Sequence, residues 1–155
     1  MSETRLTSNR LIIVAALCVG SFTSMFAQEP SKWEPDEYGF PSISCGAGKV
    51  TFEYQSGSGD KIIVTGRKYQ SRVLAEKAMQ AILISATEVV ERSQPLNEDQ
   101  YQGPRVVAKF PKKSVIIERI GEWLYSTEAE SFDSLIRFDA YEKRRSTRIS
   151  KKVNQ

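Results

Sequence analysis

Ser71-Arg-Val-Leu-Ala-Glu-Lys-Ala-Met-Gln-Ala-Ile-Leu-Ile-Ser-Ala-Thr-Glu-Val-Val-Glu-Arg92 is the longest periodic stretch of the chain, and its reading decides the fold. Leu74, Ala75, Ala78, Met79, Ile82, Leu83, Ala86, Val89 and Val90 recur at three- and four-residue spacings, as on an amphipathic helix. Ser71 can cap that helix, and Pro95 closes it, because the residue before a proline disfavours helical backbone. The spacing predicts one helix from Arg72 to about Arg92. Ala81-Ile-Leu-Ile84 is apolar nearly all round, so the helix needs a sheet beneath it and further cover beside it. With the Ala75–Val90 face buried, Ile82→Ala should cost about 2 to 5 kcal/mol through lost transfer energy and a cavity.

Outward from this stretch the pattern changes to strands. Lys49-Val-Thr-Phe-Glu-Tyr54 alternates, with Val50, Phe52 and Tyr54 on one face. Gln55-Ser-Gly-Ser-Gly-Asp60 is a polar turn, and Lys61-Ile-Ile-Val-Thr65 runs on to Arg67 despite Gly66. The two runs read as a β-hairpin. On the other side, Arg105–Phe110 and Ser114–Ile120 flank Pro111-Lys-Lys113 as a second hairpin. Trp123-Leu-Tyr125 extends the apolar content as a strand extension or a packed turn.

Thr127-Glu-Ala-Glu130 fits a capping box, Phe132, Leu135, Ile136 and Ala140 share a helical side, and Lys143–Arg145 suit a C-terminal end. The alternation of Ile136, Phe138 and Ala140 is the strand alternative, and the helix is the reading adopted. The element order becomes ββαββα. It implies a single small α+β domain with a four-stranded, mainly antiparallel sheet, one long helix and a second C-terminal helix. Residues 49–145 form that domain, 28–48 an irregular lead-in, and 146–155 a basic flexible tail.

Residues 1–27 read as a signal peptide: a polar start with Arg5 and Arg10, the uncharged run Leu11–Gly20, and Ala27 before a polar stretch. The alternative is a retained anchor, since residues 11–27 are uncharged and just reach the short limit for a bilayer span. Cleavage near Gln28 predicts a periplasmic or secreted protein and removes Cys18. Cys45 would then stand alone, which excludes an internal disulfide and leaves a buried small hydrophobe, an intermolecular bridge or a reactive thiol.

Lys plus Arg number 22 against 19 Asp plus Glu, and there is no histidine. Histidine triads, imidazole zinc sites and histidine pH switches are thereby ruled out. The excess charge is local. Lys143, Arg144, Arg145, Arg148, Lys151 and Lys152 cluster at the C-terminus against Glu142 alone, while residues 28–140 lean acidic. A basic end of this kind can meet an anionic surface. No basic stripe interleaves with aromatics in the body, so no nucleic-acid partner is expected. Trp33, Tyr38 and Phe40 lie among prolines in the lead-in, either as a strap over the core or as an exposed platform for a ligand.

Gly46-Ala-Gly-Lys49 resembles a phosphate loop only superficially. Ile43 stands where its first glycine belongs, Val50 where Ser or Thr belongs, and a strand follows instead of a helix. The acids Glu34, Asp36 and Glu37, or Glu98 and Asp99, match no calcium loop. No cofactor or metal is expected and no catalytic residue stands out.

The function that follows is an exported, non-catalytic binding or inhibitory module. Its contact residues would be Trp33, Tyr38, Phe40, Arg144, Arg145, Arg148, Lys151 and Lys152, and its partner a protein or an anionic surface. A membrane would be met only through an uncleaved leader or weak attraction to the tail. The alternatives are an envelope-associated structural protein held by its tail or leader, and a small secreted enzyme using carboxylate, Ser, Lys or Tyr chemistry.

Overall fold

A computed structural model describes residues 37–94 and 102–153, with the side chains of residue 102 and of residues 147–153 outside that description. The chain divides into a sheet body, Tyr38–Phe138, and a second unit to which Glu37 and the residues from Asp139 onward belong. The elements are β1 (Ser42–Gly46), β2 (Lys49–Gln55), β3 (Lys61–Lys68), α1 (Arg72–Leu83), β4 (Glu88–Ser93), β5 (Gln102–Phe110), β6 (Lys113–Ile120), β7 (Trp123–Ala129) and α2 (Phe132–Val153). The strands make one seven-stranded sheet in the order β1-β2-β3-β7-β6-β5-β4, with every pairing antiparallel. The fold is α+β and mostly sheet. The expected four-stranded ββαββα arrangement is overturned, because three strands were hidden in segments read as something else.

The first is β4. Helix α1 begins at the expected Ser71, whose side chain accepts from the Leu74 N–H, but it ends at Leu83 and not at Arg92. Beyond it, the Ser85 hydroxyl donates to the Ile82 carbonyl, competing with the helical ladder. The Thr87 N–H and hydroxyl both donate to Lys109 O, at 2.8 and 2.9 Å, which starts a strand against β5. Thr87, Val89 and Val90 are β-branched and suit that strand. Their spacing matched a helix by coincidence, and a bulge between Val89 and Glu91 masks the alternation.

The second is β1. Ala47-Gly48 forms a two-residue turn with Gly48 at φ +67°, so Gly46-Ala-Gly-Lys49 closes a hairpin. The third is β7, which runs through Thr127–Ala129 where a capping box was read. The helix start is displaced to Ser131, whose hydroxyl accepts from the Ser134 N–H at 3.1 Å. Helix α2 then continues to Val153, so the residues assigned to a flexible tail are helical through that point.

Directly opposed residues of adjacent strands share a face. On one face Met79 and Leu83 of α1 pack on Val106, Ala108, Val115, Ile117 and Leu124 from β5, β6 and β7. On the other, Val50, Phe52, Ile62 and Tyr125 are buried, as are Leu135 and Phe138 from the first turns of α2. Phe138 meets Tyr38 edge-on at 5.0 Å and Tyr54 at 4.9 Å. Arg137 ties the same turns to the β2–β3 connection through Asp60 at 3.1 Å.

Ile82 is 38% exposed and Ile84 86%, so the apolar surround of Ala81–Ile84 is largely uncovered. Ile82→Ala should therefore cost only about 1 to 2 kcal/mol, below the range for a buried isoleucine, because much of the removed surface already meets water. Urea melts check this, and a loss above about 3 kcal/mol would contradict the exposed placement.

Candidate anion-binding surfaces

The residues singled out from the sequence do not form one site. Trp33 lies outside the described residues. Tyr38 is 1% exposed, and its ring belongs to the core, where it straps the chain over Phe138. Phe40 is 78% exposed. No aromatic platform is assembled from the described members of this trio. Cys45 lies exposed on β1.

The basic residues fall on the second half of α2. Lys143 pairs with Asp139 at 2.8 Å, Arg144 with Glu37 at 3.6 Å and Arg145 with Glu142 at 3.7 Å. The Arg144–Glu37 pair is exposed, contributes about 0 to 1 kcal/mol to stability and leaves its charge within a partner's reach, whereas Asp139, Glu142 and Arg145 are half-buried. Arg148, Lys151 and Lys152 follow Glu142, the last acid of the chain. At about 3.6 residues per turn, positions 144, 148 and 151 recur along one strip of the helix, with 145 and 152 along the next.

A second cationic group is set by the register of the sheet. Ser44 opposes Thr51, Thr51 opposes Thr65, Thr65 opposes Ser126, and Ser126 opposes Ile117. Ile117 lies under α1, so this hydroxyl row belongs to the same face, extending beyond the helix toward the β1 edge. The neighbouring row runs from Lys49 through Arg67 and Leu124 to Arg119. The row on the opposite side holds Glu53, Ile63 and Glu128. An open depression of about 350 Å3 is lined by Ser44, Lys49 and Thr51 with Cys45, Gly46 and Ala47.

Arg119 ends the cationic row in a different environment. It is buried, its Nη1 donates to Gly121 O at 3.0 Å, and its guanidinium lies against Gly103. Burial foremost holds its pKa below the ordinary value, with Glu76 opposing that shift and Arg72 adding to it. Lys49 and Arg67 are exposed.

The sequence sets Lys49 and Thr51 on the face of their strand opposite Val50, Phe52 and Tyr54, and places Thr65 and Arg67 only within the second strand of the hairpin. Their meeting depends on which residue opposes which, and alternation within a strand is silent on that. Among the described residues no three His, Cys, Asp or Glu side chains converge to hold a metal ion, and no helix is long and apolar enough to cross a membrane. Set against protein-family models, curated proteins and solved structures, the chain gives no significant match, so its own residues carry the functional argument.

Proposed function

We propose that the chain is an exported, non-catalytic binding module that attaches to anionic surfaces through the basic second half of α2. One observation carries the reading: the helix continues to Val153, so cations adjacent in sequence recur on adjoining strips of one rod. A rod presents several charges to a surface together, whereas a flexible tail must be ordered to do so. The leader-like residues 1–27 support the exported part of the reading.

Vesicles of phosphatidylglycerol mixed with phosphatidylcholine, against phosphatidylcholine alone, test the attachment. Each well-placed Lys or Arg contributes about 1 kcal/mol, so R144Q/R148Q/K151Q/K152Q should weaken binding by more than about a hundredfold. Binding of the unaltered chain should also fall steeply toward 1 M salt, where the Debye length is about 3 Å. Equal binding by the two chains, or binding indifferent to salt, would overturn the reading. The protein is taken from the exported fraction with its N-terminus read by intact mass, and recovery only as the full-length membrane-held chain would defeat the cleaved-leader part.

A further inference from the structure

We propose that the open face of β1, β2, β3 and β7 binds an acidic oligosaccharide, whose carboxylates meet Lys49 and Arg67 and whose hydroxyls meet the row Ser44, Thr51, Thr65 and Ser126. The charge argument comes first. Lys49 and Arg67 stand directly opposite each other on adjacent strands, an arrangement that works against the sheet. Among the described residues neither carries an ion pair. The acids of the same face are already engaged, Glu53 with Lys61 at 3.0 Å and Glu128 with Lys113 at 2.7 Å. The Lys49–Arg67 end of the face is therefore positive and complementary to an oxyanion, and the open depression beside Lys49 gives the anion room.

The hydroxyl row narrows the ligand class. A hydroxyl donates and accepts, as ligand hydroxyls do, so four of them in line match a polyhydroxylated chain. With strands about 4.8 Å apart, the row spans about 14 Å, far more than one phosphate or sulfate needs. A peptide ligand would instead use a sheet edge, where backbone groups supply the bonds. No aromatic ring lies in these rows to stack on a neutral sugar, so charge must carry the affinity.

Tetragalacturonate is the probe, with neutral maltotetraose and inorganic phosphate as controls, read by calorimetry and by backbone amide shifts. The measurements use K143Q/R144Q/R145Q/R148Q/K151Q/K152Q, which removes all six cations of the second half of α2, so the result does not depend on the attachment reading. Tetragalacturonate should bind, shift the amides of β1–β3 and weaken as salt rises. Lys49→Glu turns a like-charge pair into an opposite-charge pair, so the thermal midpoint should hold or rise while affinity falls about tenfold or more. Thr51→Val with Thr65→Val keeps the strand shape and should weaken binding about fivefold to tenfold. Absence of binding at millimolar probe, equal binding by maltotetraose or phosphate, or unchanged affinity in either variant would overturn the proposal.

Discussion

Replacing Phe138 with alanine should lower the unfolding free energy by about 3 to 5 kcal/mol, the cost of removing a buried phenylalanine and leaving its cavity. Phe138 is 2% exposed and joins three separated parts of the sheet body. Its ring meets Tyr38 edge-on at 5.0 Å with an interplanar angle of 88°, and Tyr54 of β2 at 4.9 Å and 57°. Tyr38 in turn bridges to Ser56 next to the end of β2. The variant therefore leaves both tyrosine rings facing a void, and the lost aromatic pairs add to the lost burial. Phe138→Leu keeps most of the apolar volume and should recover more than half of the loss. Urea melts give the comparison, with a lower midpoint and an unchanged slope as the expected form. A loss below about 1 kcal/mol would mean that the ring is not packed between the tyrosines.

Gly66→Val should destabilise the protein by about 1 to 3 kcal/mol or more, although strand propensity argues for the opposite sign. Propensity favours valine over glycine by about 1 kcal/mol at most. Against it stands the register, which places Gly66 opposite Tyr125. A Cβ added to Gly66 would lie 2.7 Å from Tyr125 Cε1 and 3.0 Å from Val50 Cγ1. The ring has little freedom to withdraw, since Trp123 stacks on it at 6.0 Å and an interplanar angle of 18°. Crowding exceeds propensity. A double-mutant cycle isolates the cause, because Tyr125→Ala should remove most of the penalty of Gly66→Val. Additive effects, or a valine variant more stable than the parent, would show that the ring does not occupy the space above Gly66.

The hairpins β2–β3 and β5–β6 were legible because each combines alternating β-branched residues with a polar or proline-containing turn. Strand β4 was not. Val89 and Val90 satisfy a three- and four-residue repeat as well as a bulged strand, and only the pairing with β5 separates the two. Tyr38 and Phe40 looked alike in the lead-in, yet one is 1% and the other 78% exposed. Composition cannot distinguish them, since the difference is the presence of Phe138 beside one ring.

Local properties were determined by the sequence alone: the helix start at Ser71, the concentration of cations after Glu142, the absence of imidazole chemistry and the outward alternation of β2. These depend on neighbours within a few residues, whose spacing is written in the chain. The tertiary structure decided the number of strands, the end of α1, the burial of Tyr38 and the encounter of Lys49 with Arg67. Each of these depends on residues from other strands or on a distant ring, such as Lys109 receiving Thr87 or Tyr125 lying over Gly66. A one-residue shift in strand register would reverse which side chains face each other, so such partnerships exist only once the sheet has assembled.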